Sequence, residues 1–240
     1  MSHRSLLLLS LLGPALTIAA TPTLQDQVAT RVAADYPAMK AFYLDLHQHP
    51  ELSFMEVETS AKVAGALRAA GLEVTEKFGG YGVVGVLRNG TGPTLLLRTD
   101  LDALPVEEET GLPYASKVRV KDLSGREVPV MQACGHDVHM TVFTATARML
   151  AGMRDQWSGT VVFVGQPAEE RGGGARAMLT AGLYRQFPKP DFAVALHDSA
   201  SLPAGKIGTV EGFIMANVDT VEITVRGVGG HGPSARPGWD

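Results

Sequence analysis

Three short apolar runs most restrict the fold of this chain. They cover residues 94–100 (TLLLRTD), 159–167 (GTVVFVGQP) and 191–197 (DFAVALH). Continuous apolar runs of this length are typical of strands that are buried on both faces of a parallel sheet. Helical patterns lie between them, at 139–153 and 169–182. The chain is therefore predicted to adopt an α/β fold with an open, mostly parallel sheet flanked by helices.

Two helices and two further strands are predicted before the first of these runs. One helix covers 24–47 with a break at Pro37. A second runs from a capping box of Ser53 and Glu56 to about Ala70. Residues 72–78 and 82–90 are typical of strands, and the later one ends at an Asn-Gly turn.

The composition is that of a globular protein. Of the 240 residues, 45% are apolar and 19% are charged, and the net charge is −4. Such a chain can bury a sizeable core. Mild acidity without basic clusters argues against nucleic acid as the main partner. Because Cys134 is the only cysteine, an intrachain disulfide is excluded.

The two ends of the chain differ from its middle, 24–211, which carries the α/β pattern. Residues 1–20 contain Arg4 and an apolar run that ends in small residues, so we expect a signal peptide, export to the periplasm or beyond, and no stable membrane insertion after cleavage. An uncleaved anchor is the alternative, although the run is shorter than the roughly 20 residues that span a bilayer. The alternating pattern at 218–227 indicates a half-exposed strand. We therefore expect 212–240 to begin a smaller domain that is truncated in this sequence.

Polar side chains follow the three apolar runs at the points where the strands end. In an open α/β sheet, ligands bind outside the carboxyl ends of the strands. The segment ACGHDVHM opens a helix and can lie at the same edge. The residues concerned are Arg98, Asp100, Cys134, His136, Glu169, Glu170, His197 and Asp198. Thiolate, imidazole and carboxylate are common zinc ligands, and the last two also suit manganese, cobalt or nickel, so the sequence predicts a metal site here.

The Glu169–Glu170 pair and the lone Cys134 each allow more than one interpretation. Two adjacent carboxylates repel each other unless a cation holds one, so Glu170 could bind metal while Glu169 acts as general base. Both carboxylates would also suit the first turn of a helix. Cys134 could be a metal ligand, a nucleophile with a histidine base, or a buried thiol.

Three other histidines and two glycine-rich segments have more ordinary interpretations. His47 and His49 are predicted to brace a helix end by hydrogen bonding. His139 shares a helix face with His136, which favours a place behind a metal ligand or on the substrate side. GVGGHG is not followed by the helix of a dinucleotide site, and RGGGARAML lacks the ending of a phosphate loop.

Six ordered motifs carry a family resemblance from about residue 40 to the end. They are LHQHPELSF, RTDLDALPVEEETGLPYAS, ACGHDVHM, GQPAEERGGGARAML, ALHDSASLPAGKIG and GVGGHG. Together they resemble the metal-dependent amidohydrolases that include hippurate hydrolase, N-acyl-amino-acid amidohydrolases and the plant auxin-conjugate hydrolases. The resemblance implies a two-metal, aminopeptidase-like α/β catalytic domain over 24–211 and the start of an α+β lid domain, which often dimerises, over 212–240.

The resemblance also implies roles for individual residues. Glu169 would be the general base, Asp100 a carboxylate that orients the site, and His231 a lid residue that contacts the substrate or the tetrahedral intermediate. Two divalent ions are implied, with manganese expected first and zinc, cobalt or nickel as the other candidates. A further histidine ligand is expected beyond the last residue given. The implied metal ligands are Cys134, His136, Glu170 and His197.

The implied reaction is hydrolysis of the amide bond of N-acyl amino acids or related small amides, by a water that the metals activate, in a homodimer. Two segments depart from the family. HGPSARPGWD has Ala235 and Arg236 where a Pro-His pair is common, and HDSASLP is more polar than expected. The alternative hypotheses are a hydrolase with Cys134 as nucleophile and a non-catalytic binding protein, and the intact Glu169 argues against the second.

Overall fold

A computed structural model describes residues 22–214, 221, 223–224 and 226. The chain divides into two units, Met1–Asp198 and Ser199–Asp240, and the helices and strands named below belong to the first. The predicted signal peptide, His231 and most of the predicted strand at 218–227 lie outside the described residues. Within the described part of the chain, no helix is both long enough and apolar enough to cross a bilayer.

Helices and strands alternate along the first unit, as the sequence predicts. The helices are α1 (Leu24–Gln48), α2 (Val57–Ala69), α3 (His136–Gly152), α4 (Gly174–Ala181) and α5 (Leu183–Gln186). The strands are β1 (Glu73–Thr75), β2 (Val83–Asn89), β3 (Thr94–Asp100), β4 (Arg119–Lys121), β5 (Glu127–Pro129), β6 (Gly159–Gln166) and β7 (Phe192–Ala195).

Five of these strands form one sheet in the order β1-β2-β6-β3-β7, and β4 and β5 form a separate hairpin. Strands β6, β3 and β7 are parallel neighbours, whereas β2 runs antiparallel to β1 and β6. The predicted α/β fold with a mostly parallel sheet is therefore confirmed. Its parallel strands place their carboxyl ends at one edge.

Strand β6 explains why the sequence shows unbroken apolar runs. Phe163 faces a core that α2 and α3 close, while Val162 and Val164 face a second core that α4 and α5 close. A strand that is covered on both faces has no position for an exposed polar side chain. Each fully buried aliphatic or aromatic side chain contributes about 1.5–3 kcal/mol relative to an exposed one, so these two cores anchor the sheet.

Two predictions about the N-terminal helices are wrong. Helix α1 continues through Pro37, which removes only one backbone hydrogen bond in a helix that is capped by Thr23 and packed against α3. The predicted capping box is absent, because the carboxylate of Glu51 accepts the N–H groups of Glu58 and Thr59 at the start of α2. Ser53 and Glu56 instead make contacts at the functional site that are described below.

The prediction of a buried strand at 191–197 is also only partly right. Strand β7 forms and pairs with β3, but all four of its residues are exposed. It lies at the edge of the sheet, and Phe192 is 65% and Val194 53% exposed. The apolar pattern therefore identified the strand correctly but not its burial in this chain.

The two histidines near the end of α1 have different environments. His49 braces the helix end as predicted, because its Nδ1 lies 2.8 Å from the carbonyl oxygen of Asp45 one turn earlier. His47 is buried and bridges two other segments, with Nδ1 2.7 Å from Asp137 and Nε2 3.2 Å from Glu108. It therefore connects the end of α1 to the start of α3, next to His136.

We expect His47→Gln to lower the free energy of unfolding by about 3–5 kcal/mol. The change leaves the buried carboxylates of Asp137 and Glu108 without their shared partner, and breaking a buried pair costs this much. Urea unfolding of the purified protein measures the loss. His49→Gln is the matched control and should cost less than about 1 kcal/mol, because that contact is exposed.

The difference between the two variants should also depend on pH. Burial lowers the pKa of His47, but hydrogen bonds to Asp137 and Glu108 outweigh it and raise the pKa above its ordinary value of 6.5. The extra stability is therefore complete below about 6.5 and is lost as pH rises through the higher folded pKa. Tyr43 and Tyr114 also contact this ring, and burial raises the pKa of Tyr43 to about 12. A difference in unfolding free energy between the two variants that grows as the pH rises would contradict this account.

Candidate metal centre

The carboxyl ends of three neighbouring strands bring the predicted site residues together. Asp100 at the end of β3 pairs in register with Gln166 at the end of β6. Glu169 and Glu170 follow β6, and His197 follows β7 on the other side of β3. Helix α3 begins at His136 and packs against β3. The residues come from four segments of the chain but meet at one edge of the sheet.

His136 lies at the centre of this edge and is fully buried. Its Nδ1–H donates to the backbone carbonyl of Asp102 over 2.7 Å, which leaves Nε2 facing the opposite way. Nε2 lies 3.9 Å from Glu170 Oε1 and 4.0 Å from Glu169 Oε2. Both His136 Nε2 and Glu170 Oε1 are buried without a hydrogen-bond partner among the described residues. Buried polar atoms rarely stay unpaired, so their spacing suits a shared cation.

Cys134 and His197 lie beside this pair. Their Sγ and Nε2 atoms are 3.4 Å apart. Three groups of possible ligand atoms, each within 4.8 Å, include His136, and they are Cys134–His136–His197, His136–Glu169–Glu170 and Asp100–His136–His139. A thiol, two imidazoles and carboxylates form a donor set that fits zinc, with manganese, cobalt or nickel also compatible. The residues present therefore fit a divalent metal centre.

The electrostatics of the edge also favour cations. Burial, together with the carboxylates of Glu170, Glu169 and Asp198, raises the pKa of the Cys134 thiol to about 12. Burial raises the pKa of Asp100 to about 6 even though Arg98 forms an ion pair with it. These groups disfavour additional negative charge unless positive charge is placed between them.

The surroundings of the His136 imidazole favour its positively charged form. Burial alone lowers its pKa, but hydrogen bonding to Asp102 and the charge of Asp100 outweigh burial and raise the pKa to about 9. The proton on this ring partly compensates the surrounding carboxylates. A divalent ion at Nε2 would replace that proton and supply the same compensation.

Asp102 holds the site together although sequence reasoning did not assign it a role. Its Oδ1 accepts the N–H of Glu169 and its Oδ2 that of Glu170, each over 3.1 Å. Oδ2 also accepts the hydroxyl of Ser53 over 2.5 Å. Asp102 is itself completely buried. The sequence feature that could have identified Asp102 is its position as a second acidic residue, two positions after Asp100 in the RTDLDALP segment.

Backbone conformation places the ligands as well. Gly135 has φ +76°, a conformation that other residues rarely adopt, and a Cβ there would also displace the carboxylate of Asp198, so this position favours glycine. Ala168 and Phe54 also have positive φ, of 47° and 65°. The Oε1 atom of Glu56 accepts both of their N–H groups, at 2.7 Å and 3.0 Å. Glu56 thus fixes the turn that presents Glu169 and Glu170.

His139 lies behind the predicted ligands. It is buried, its ring packs 4.5 Å from that of His197, and its Nε2 lies 2.9 Å from Asp198 Oδ1. Burial lowers the pKa of His139 to about 4, which favours the neutral ring. This position is compatible with the predicted place behind a ligand, and it leaves direct ligation unassigned.

Sequence comparison identifies the family. Residues 96–237, more than half of the chain, match peptidase family M20/M25/M40. This chain belongs to that family.

Two named proteins have sequences similar to most of this chain. An N-acetylcysteine deacetylase of Bacillus subtilis is 41% identical over 189 residues, which cover 78% of this chain and 47% of that protein. A hippurate hydrolase of Campylobacter jejuni is 39% identical over 196 residues, which cover 81% and 48% of the two chains. This chain therefore spans about half the length of the curated relatives that it matches.

A solved structure of the family supports the fold and the chemistry of the edge. A dinuclear metal binding peptidase from Bacillus subtilis has a TM-score of 0.66 and 38% sequence identity, and the match covers 75% of this chain and 48% of that one. Family members similar to this chain therefore hold two metal ions. Which residues of this chain hold metal, and the identity of the ions, stay predictions.

We expect Asp102→Asn to weaken metal binding about 10–100-fold. The amide has one acceptor oxygen where the carboxylate has two, so an N–H group of the Glu169–Glu170 turn loses its partner. Changes to groups that orient metal ligands have effects of this size. Competition against a chelator measures the affinity, and circular dichroism verifies the fold. Asp155→Asn, an exposed change, is the control, and equal affinities in the two variants would contradict the role given to Asp102.

Proposed function

We propose that the full-length protein hydrolyses the amide bond of N-acyl amino acids or related small amides with two divalent metal ions, manganese first among the candidates. The single observation that carries the proposal is the pair of unpartnered buried atoms, His136 Nε2 and Glu170 Oε1, 3.9 Å apart. The named relatives, a deacetylase and a hippurate hydrolase, support a small amide as the substrate.

The metal ligands in this proposal are Cys134, His136, Glu170 and His197. Asp100 orients the site, and its Oδ2 lies 3.9 Å from His136 Nε2. When bound, the ions would polarise the scissile carbonyl and make a water molecule more acidic. The different exposure of the two glutamates supports their roles. The side chain of Glu170 is 19% exposed and contacts the buried centre, whereas that of Glu169 is 39% exposed.

The chain's own part in the chemistry is proton transfer by Glu169. Its carboxylate would take a proton from the attacking water and deliver it to the nitrogen of the leaving amine. Asp102 accepts the backbone N–H of Glu169, so the backbone from which this side chain extends is held in place. General acid–base catalysis of this kind contributes about 10²–10⁴-fold to the rate.

Of three further parts of the proposal, two rest on the family resemblance and the third on the pattern of the N-terminal segment. His231 would approach the substrate from the second domain and stabilise the oxyanion. That domain would form a homodimer. The segment 1–20 would direct export, after which the protein acts in the periplasm or outside the cell.

The alternative of a cysteine hydrolase has one observation in its favour. The 3.4 Å contact of Cys134 with His197 resembles a nucleophile with its base. However, a catalytic cysteine needs an electropositive environment that lowers its pKa. Here burial and three carboxylates raise the pKa of the thiol to about 12. This environment favours a thiolate that is shared with metal.

Metal removal separates the two hypotheses. We expect complete chelation to abolish hydrolysis of N-acyl amino acids by the full-length protein, and re-addition of manganese, zinc or cobalt to restore it. Alkylation of Cys134 should be slow in both states, because metal holds the sulfur in the loaded enzyme and the raised pKa keeps the thiol protonated after chelation. Activity that survives complete metal removal but not alkylation would establish the cysteine mechanism instead.

Substitution of the two glutamates tests their division of roles. We expect Glu169→Gln to lower kcat about 10²–10⁴-fold while the metal content stays near that of the wild type. Glu170→Gln is the matched neighbour and should lose metal together with activity. Metal analysis of both purified variants gives the answer. Loss of metal in Glu169→Gln alone would mean that the assignments must be exchanged.

A further inference from the structure

A cleft adjoins the metal centre on the side of Glu170. Its volume is about 460 Å³, within the range of sites for small molecules. Glu170 borders it while also facing His136, and Ser53 borders it while donating a hydrogen bond to Asp102. The cleft therefore meets the candidate metal centre at Glu170 and Ser53.

The walls of the cleft are mostly apolar. They come from two loops and from the tip of the β4–β5 hairpin, and the apolar residues are Leu52, Met55, Ala103, Leu104, Pro105 and Leu123. A separate small core fixes these walls, because Val128 of the hairpin and Val130 after it pack with Leu52 and Ala103. The base of the hairpin is thus anchored to the loops that it faces.

Leu123 at the hairpin tip belongs to none of the three apolar clusters of the described residues. It is 68% exposed, and it nevertheless lines the cleft. The neighbouring Asp122 holds the tip in shape, since its Oδ1 accepts the N–H groups of Ser124 and Arg126. A leucine that an ordered turn holds over an apolar cleft is placed to cover an apolar ligand group.

The charges around the cleft help to define that group. Asp122 and Arg126 are 3.5 Å apart and compensate each other. In the proposed function, the charge of Glu170 at the inner end is neutralised by the metal that it holds. Arg171 also lines the cleft, so an acyl group that ends in a carboxylate is the competing ligand.

We propose that this cleft binds the apolar acyl chain of the substrate and that Leu123 determines the preferred chain length. The inference rests on the proposed function, because it assigns one half of an N-acyl amino acid to one side of the site. Each methylene that enters the cleft should raise kcat/KM about threefold to fourfold until the cleft is filled.

The test uses the metal-loaded full-length protein and a series of acetyl-, butanoyl-, hexanoyl- and octanoyl-alanine. In the wild type, kcat/KM should rise along the series. Leu123→Ser should lower the ratio of the octanoyl to the acetyl substrate about tenfold. Met55→Trp, which fills the cleft from another lining position, should lower the same ratio. Leu112→Ser, an exposed loop leucine that does not line the cleft, is the matched control and should leave the ratio unchanged.

Several results would overturn the inference. One is an equal ratio in the wild type and Leu123→Ser. Another is a response of Leu123→Ser to the length of the amino-acid side chain instead of the acyl chain. Preference for a succinyl over a butanoyl substrate, lost in Arg171→Ala, would assign the cleft to an anionic group.

Binding separates this inference from the proposed function. Calorimetry with octanoyl-alanine uses Glu169→Gln protein, in which turnover is suppressed, and adding Leu123→Ser should weaken the affinity about tenfold. If no amide in the series is hydrolysed but this difference in binding is found, the proposed function fails and the cleft assignment stands. If all variants hydrolyse the series and bind octanoyl-alanine equally well, only the cleft assignment fails.

Discussion

The buried carboxylate of Asp102 is the interaction on which the candidate site depends. Its side chain accepts three hydrogen bonds, from Ser53 and from the backbone of Glu169 and Glu170, and its carbonyl accepts one from His136. It thereby connects the loops after α1, β3 and β6 to the start of α3. Burial opposes a charged carboxylate, but these bonds outweigh burial and hold the pKa of Asp102 below its ordinary value.

This arrangement decides what His136 can do. With Nδ1 donating to a backbone carbonyl, the other nitrogen is fixed in direction and must find its partner among the carboxylates of the edge. Those carboxylates lie at 3.9–4.0 Å, too far for a hydrogen bond and suitably spaced for an ion between them. The orientation of one imidazole therefore makes this acidic strand edge suitable for a divalent ion.

The sequence predicts the framework of this site better than its support. The apolar runs indicate that β3, β6 and β7 are parallel strands. Parallel strands place their carboxyl ends together, so the sequence predicts that these ends meet. The support depends on contacts that no local pattern encodes. Glu56 resembles the end of a capping box, yet it accepts the N–H of Ala168, 112 residues away in sequence. Asp102 contacts the backbone of Glu169 across 67 residues. Such partners depend on how the loops cross, which periodicity does not show.

The surplus of negative charge at the edge connects the lone cysteine to the metals. Glu169, Glu170 and Asp198 each raise the pKa of the Cys134 thiol, so this environment suppresses the thiolate that a nucleophile requires. The same carboxylates attract divalent cations, and a cation beside the sulfur would favour the deprotonated form. The features that oppose cysteine catalysis are thus the ones that make Cys134 a suitable ligand. An exported protein would gain a further advantage, because a thiolate held by metal is less open to oxidation.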